Sequence, residues 1–442
     1  MPKNKLQTLI RYLQAIVIRG AGAIAAIALT ISVSRNFSTI DARNWYIAIN
    51  AITILGTCLR WGSDEIVIKR LAQTTKHENF DSALAGAISF LKTRLLYALA
   101  LLAIAFLLSA YPISNWLKLS IFDIALIVAP SAFVALLMST GRLLQGLGLL
   151  NRAAFFLTVA APMVTTVVIL IFTSVEIISR WQEVVAIYAI TTIGLLPIAV
   201  KSLPTSGISP FKIVTDAWRD QNSNRPNDSE SHRSANILGF VVVATQGLPW
   251  MGASIVPIYF HAGAANAFIV SQKLSLSIGL IALVTNFAIS RKVAEQFHNQ
   301  KTRSILTTFL SGLAFISIGC GLVSAIAMFY AKEITMYANI EGQGSEAILL
   351  NLIISQIFFG IGTYCAVFLT MAGKESGLLK ITIFVNLIGC LLLLWSCMTQ
   401  SISVVAVIYN LSYFLYAAFL IAIVFALLRK NIQVQKGKEN AY

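Results

Sequence analysis

The residues of this sequence best placed to do chemistry are ionisable groups inside long apolar runs, where charge is costly and a polar side chain needs a job. Arg19 lies about two turns into the first run, roughly 10 Å deep, between Gly20 and Gly22, which let another helix approach. Its planar guanidinium matches the paired oxygens of a phosphate or carboxylate; the competing reading is a long stem that carries the charge back to the interface. Lys273 lies roughly 13 Å into a later run, with no acid within one helical turn. That depth leaves a wet cavity with an anionic ligand, or an acid contributed by another helix. Arg60 with Asp64, and Glu65 with Lys69, are each spaced i, i+4 and share a helical face, as neutralising pairs or as a gate. Lys92, Arg94, Arg142 and Arg152 are the material for a positive rim at a cytoplasmic mouth, or ordinary positive-inside residues. Gln145, Gln246, Gln272 and Asn286 carry the donors and acceptors that sugar hydroxyls need and that helix pairs also use. Gly247 with Pro249 is a candidate hinge.

Other chemistry finds no residues to carry it. The four histidines, His77, His232, His261 and His298, fall in breaks between runs, away from any nucleophile motif. Cys58, Cys320, Cys365, Cys390 and Cys397 lack metal or redox spacing and read as packing residues. We therefore expect no enzyme activity, no metal and no cofactor, with proton or sodium coupling left open.

The elements that must position these groups follow from composition. Of 442 residues, 57% are apolar and 12% charged, about half the charge of a soluble domain. At about 20 residues per helical span, the apolar share is enough for about twelve spans. The runs are continuous rather than alternating, which excludes a β-barrel. Spans are expected near 12–34, 45–68, 87–110, 122–145, 153–174, 184–201, 235–258, 264–289, 305–330, 347–371, 378–398 and 403–428. The first follows Lys3, Lys5 and Arg11 but is too long for a cleaved signal.

Domain organisation is expected to be a six-helix bundle over 1–201, a linker over 202–234 rich in Asn, Ser and Pro, a second bundle over 235–430, and a tail over 431–442. Net charge is +15, yet on one side of the spans the basic residues are only Arg35, Arg43, Lys118, Arg180 and Lys332. The excess therefore reports topology, with both termini cytoplasmic and attraction to membrane lipids as a by-product; nucleic acid is not needed to explain it. Trp45, Tyr46, Tyr111, Trp116, Trp181, Tyr188, Tyr259, Tyr330 and Trp395 fall near the outer ends and are expected to form an aromatic belt.

Two echoes relate the halves. Val67-Ile68-Lys69-Arg70-Leu71-Ala72-Gln73 resembles Ile289-Ser290-Arg291-Lys292-Val293-Ala294-Glu295, and Leu144-Gln145-Gly146-Leu147-Gly148 resembles Met371-Ala372-Gly373-Lys374-Glu375. Six spans per half make these parallel repeats, an architecture that places a cavity between two bundles.

Arg35-Asn36-Phe37-Ser38, Trp45-Tyr46-Ile47-Ala48, and the run from Arg60-Trp61-Gly62-Ser63-Asp64-Glu65 to Ala72 resemble the first two spans of bacterial polysaccharide repeat-unit flippases of the Wzx type. Ala267-Phe268-Ile269-Val270-Ser271-Gln272-Lys273-Leu274 and Leu144-Gln145-Gly146 are similar to other patterns of that family. The family belongs to the multidrug/oligosaccharidyl-lipid/polysaccharide (MOP) exporter superfamily. In this sequence Ser38 and Thr39 follow Phe37, where the family usually has a Gly.

The resemblance implies an all-α polytopic membrane protein with two six-helix bundles around a central cavity, in a bacterial inner membrane. It implies translocation of polyprenyl-diphosphate-linked oligosaccharide for O-antigen, capsule or exopolysaccharide synthesis, alongside polymerase and chain-length proteins of the same pathway. Two alternatives stand beside it: a cation-coupled multidrug antiporter on the same fold, and a membrane glycosyltransferase or ligase acting on the same carrier.

Overall fold

The computed structural model describes residues 3–74, 80–117, 120–174, 177–204, 209–219, 228–298, 302–338, 340, 344–399 and 401–439. Every regular element among them is a helix. Contacts group the chain into two compact units, Met1–Val243 and Ala244–Tyr442.

The first unit holds α1 (Lys3–Asn36), α2 (Thr39–Arg60), α3 (Ser63–Thr74), α4 (Phe80–Leu117) and α5 (Ile121–Gly146). It continues with α6 (Leu150–Ala154), a π turn over Phe155–Val159, α7 (Ala160–Ser174), α8 (Trp181–Lys201) and α9 (Pro210–Arg219). Side chains mark where three of these helices begin. Ser38 accepts from the Asp41 N–H at 3.1 Å to open α2, and Ser120 and Asp123 form a reciprocal capping box at α5. Glu183 takes the N–H groups of Ser179 and Arg180 at 2.8 and 3.0 Å at the start of α8.

Helix α10 (Asp228–Tyr259) runs across the division between the units. The second unit continues with α11 (Ala262–His298), α12 (Thr302–Phe329), α13 (Ala331–Tyr337), α14 (Ser345–Met371), α15 (Glu375–Met398) and α16 (Ile402–Glu439). Among the described residues, eleven helices are long and apolar enough to cross a membrane.

The expected second span, 45–68, is not one helix. It breaks at Trp61 and Gly62, both left-handed with φ of 30° and 72°, and restarts as α3. Such angles are unfavourable for any residue with a Cβ, so Trp61 stays there only because its surroundings hold it. The reason is close approach. A Cβ on Gly62 would stand 2.1 Å from the Ala235 carbonyl of α10, and one on Gly239 would stand 2.8 Å from the Trp61 ring. The backbone of the break and the face of α10 touch directly.

The second sequence echo has a geometric counterpart two residues out of its register: the echo sets Gly146 against Gly373, whereas the turns set Gly148 against Gly373. After α5, the Leu149 N–H reaches the Leu144 carbonyl at 2.9 Å and the Gly148 N–H reaches Gln145 at 3.0 Å. After α14, Lys374 reaches Leu369 at 2.9 Å and Gly373 reaches Thr370 at 3.1 Å. Both are Schellman turns, with Gly148 and Gly373 at φ of 81° and 70°. The first echo diverges: Val67 to Gln73 lie in the separate α3, whereas Ile289 to Glu295 continue α11.

Two other expectations change. The linker over 202–234 contains α9, whose Ile213 is buried, and α10 already begins at Asp228; residues 220–227 lie outside the described residues. The aromatic belt is partial. Trp45, Tyr46, Trp181 and Tyr188 are buried, with Trp45 edge-on to Tyr188 at 6.4 Å and the Tyr46 hydroxyl donating to Thr30 O at 2.8 Å. Tyr259, Tyr330 and Trp395 are exposed, and the side chains of Tyr111 and Trp116 lie outside the described ones. Helix–helix packing accounts for the first group: Trp45 and Tyr188 meet between α2 and α8, and Tyr46 reaches α1.

Candidate functional site

The break in α2 gathers charge. Arg60, the last residue of α2, pairs with Asp64 across the break and also donates to Gly56 O at 3.1 Å and Thr57 Oγ1 at 3.2 Å. Ser63 closes the gap by donating to Arg60 O. From α5, Arg142 places Nε 3.5 Å from Asp64 Oδ2 and Nη1 4.0 Å from Glu65 Oε1, while Nη1 donates to Gln145 Oε1 at 2.9 Å. These side chains are about one-seventh to one-quarter exposed. Asp64 Oδ1 is buried without a hydrogen-bond partner among the described residues.

Arg19 joins this cluster. It is buried, at 3% exposure, within electrostatic range of Arg142. Its helix is pressed onto span five: a Cβ on Gly22 would meet Thr158 O of the π turn at 2.6 Å, and Thr166 Oγ1 donates to Ala25 O at 3.2 Å. Two guanidinium groups, Arg60 and Arg142, therefore engage two carboxylates, Arg19 lies beside Arg142, and Lys69 is within electrostatic range of Glu65. Chemically, such a cluster holds an anion, with the carboxylates orienting the guanidinium forks.

The four cations read together as a rim each meet different partners. Arg142 belongs to the cluster. Lys92 lines a cavity of about 280 Å³ with Arg60, Ser63, Ser139 and Thr140, walled by leucines and by Val214 of α9. Arg94 donates to Trp61 O at 3.1 Å and Asn236 Oδ1 at 2.6 Å, so it sits at the carbonyl end of α2. Arg152 is exposed and donates to Ser202 O at 2.8 Å, at the end of α8.

In the second unit Lys273 is partly exposed on α11 and has no carboxylate partner among the described residues. Its neighbour Gln272 is buried and donates to Pro249 O and to Tyr409 Oη, each at 3.2 Å. Tyr409 donates in turn to Leu248 O at 2.7 Å. These bonds brace α10 at Pro249, where the ring removes a helical N–H, and α10 stays one helix through Gly247. Gln145 is likewise occupied by Arg142, whereas Asn286 Oδ1 is buried and unpartnered among the described residues. Gln246 is partly exposed.

Sequence reading used Trp61 and Gly62 only as part of a family resemblance and passed over Tyr409. The Trp-Gly pair inside the Arg60–Asp64 spacing was a legible break signal. Tyr409 left none, because its partners are more than a hundred residues away. Among the described residues, no group of three or more His, Cys, Asp or Glu could hold a metal.

No known family profile matches the chain, and no curated protein matches its sequence. Solved structures do match its fold. An outward-facing multidrug resistance MATE family transporter of the MOP superfamily aligns with TM-score 0.69 at 13% identity, over 96% of this chain and 96% of its own. The MATE multidrug transporter DinF-BH aligns with TM-score 0.67 at 13% identity, over 96% of each chain. The Vibrio cholerae MATE transporter VcmN in its bent form aligns with TM-score 0.64 at 15% identity, over 96% of this chain and 98% of its own. The chain has the MATE transporter fold over nearly its whole length.

Proposed function

We propose that this protein is a membrane transporter working by alternating access, and that its substrate is the diphosphate headgroup of a polyprenyl-linked oligosaccharide. The fold supports the transporter class. The substrate reading rests on one observation: buried Arg19 lies within electrostatic range of Arg142, which with Arg60 engages Asp64 and Glu65, so three guanidinium groups gather at the α2 break. Lys273, without an acid partner among the described residues, is the corresponding cation of the second unit. Guanidinium forks would take the diphosphate oxygens while the prenyl chain stays in lipid, and polar side chains such as Asn286 would meet sugar hydroxyls.

The second reading, a cation-coupled multidrug antiporter, is favoured by the solved structures named above, which are MATE transporters, two of them described as multidrug. It would use Asp64 or Glu65 as the coupling acid, and both are held by arginine.

Proteoliposomes separate the two. With fluorescent lipid-linked oligosaccharide, the wild type is expected to expose the headgroup on the far leaflet, and Arg19→Ala and Lys273→Ala to slow this at least about tenfold, or 1.4 kcal/mol. Efflux of a cationic dye under a proton or sodium gradient, without lipid-linked sugar translocation, establishes the antiporter instead.

A further inference from the structure

The Arg94 end of the first unit has a feature that the transport reading leaves unused. A cavity of about 410 Å³ lies between α2, α4 and the start of α10, lined by Leu55, Cys58, Leu59, Trp61, Arg94, Tyr97, Ala98, Leu101, Leu102 and Asn236. On α4 the lining recurs at 94, 97/98 and 101/102, one helical face about 12 Å long. On α2 it runs the opposite way, because Arg94 bonds Trp61 O. The polar residues Arg94, Asn236 and the Trp61 carbonyl therefore share one end, and Leu55, Leu101 and Leu102 share the other. Tyr97 and Leu101 are 70% and 69% exposed, on the face of a membrane-crossing helix. The cavity thus opens sideways toward lipid.

We propose that this cavity binds one anionic phospholipid of the surrounding bilayer, its phosphate on Arg94 and Asn236 and one acyl chain along Leu101 and Leu102. Charge complementarity selects the headgroup. Arg94 lies within the span Leu84–Ile104 and, among the described residues, has no carboxylate partner and gives two hydrogen bonds, both from Nη2. A guanidinium at that depth is stabilised by a phosphate, and basic pockets between membrane helices take acidic lipid headgroups. The surroundings select the source: a groove open to lipid along its apolar length meets bulk phospholipid before any scarce carrier. The bound phosphate would add to the hold of Arg94 on the Trp61 carbonyl, and so steady the break in α2.

Native mass spectrometry of the full chain in a non-ionic detergent, with phosphatidylglycerol or phosphatidylcholine added, tests this. We expect one phosphatidylglycerol retained per chain, at least about fivefold over phosphatidylcholine. Arg94→Gln should lose that preference, and Leu101→Trp, which fills the apolar end and leaves Arg94 in place, should reduce retention of both lipids. Arg94→Lys should keep the preference if Arg94→Gln does not fold. Equal retention of the two lipids, wild-type retention by Arg94→Gln and Leu101→Trp, or displacement of phosphatidylglycerol by equimolar polyprenyl phosphate each overturns the proposal. The last result would make the occupant an isoprenoid and leave the transport reading standing.

Discussion

Arg142 stands closer to both carboxylates at the α2 break than its place at the end of an apolar run suggests. It reaches Asp64 and Glu65 from a different helix, and without it Glu65 loses its nearest opposite charge. Removing one partner of a buried pair strands the other, so Arg142→Ala is expected to lower stability by about 3 kcal/mol, the low end for such a loss because both groups keep some exposure. Adding Glu65→Gln should recover at least half of it, a coupling that a double-mutant cycle on thermal unfolding in detergent measures. Arg152→Ala is the contrast. Its side chain is exposed and meets only a helix-end carbonyl, so its effect should stay within about 0.5 kcal/mol. Sequence reading placed Arg142 and Arg152 in one group; only the fold distinguishes them.

Among the helices, the break in α2 and the paired turns after α5 and α14 make separate demands on glycine. Gly62 combines a positive φ with a backbone contact that leaves no room for a methyl, so Gly62→Ala should cost about 2–4 kcal/mol, combining left-handed strain with overpacking. Gly86, in the second turn of α4 with open space around it, should accept Ala with no loss or a gain of about 0.5–1 kcal/mol. Both are read from melting temperatures of the purified variants. Gly373 has free space and only its φ to satisfy, so Gly373→Ala should cost about 1–2 kcal/mol. If the Schellman turns are true repeats, Gly148→Ala should cost the same within about 0.5 kcal/mol, and a difference larger than that would show that the two turns answer to different surroundings.

For the whole chain, the asymmetry of basic residues predicts which ends of the helices share a side of the membrane. Lys201 closes α8 and Tyr330 follows α12, and both are exposed. In a background lacking the five native cysteines, Tyr330→Cys should label with an impermeant maleimide in intact cells. Lys201→Cys should label only after permeabilisation. Reversed labelling would invert the orientation read from charge.

Composition and run length alone determined that the chain is all helical and membrane-spanning, because a span must satisfy its own backbone and so announces itself locally as twenty-odd apolar residues. The sequence also marked Arg19, Arg60, Asp64, Glu65 and Lys273 as charges needing an explanation, for the same local reason. Only tertiary structure decided their company. The Trp61–Gly62 break exists because α10 presses against it, Arg142 becomes part of the cluster because α5 packs beside α3, and Gln272 braces α10 at Pro249 because Tyr409 arrives from α16. Those contacts join residues far apart in the chain, and no local pattern of hydropathy or charge encodes which distant helix will meet which.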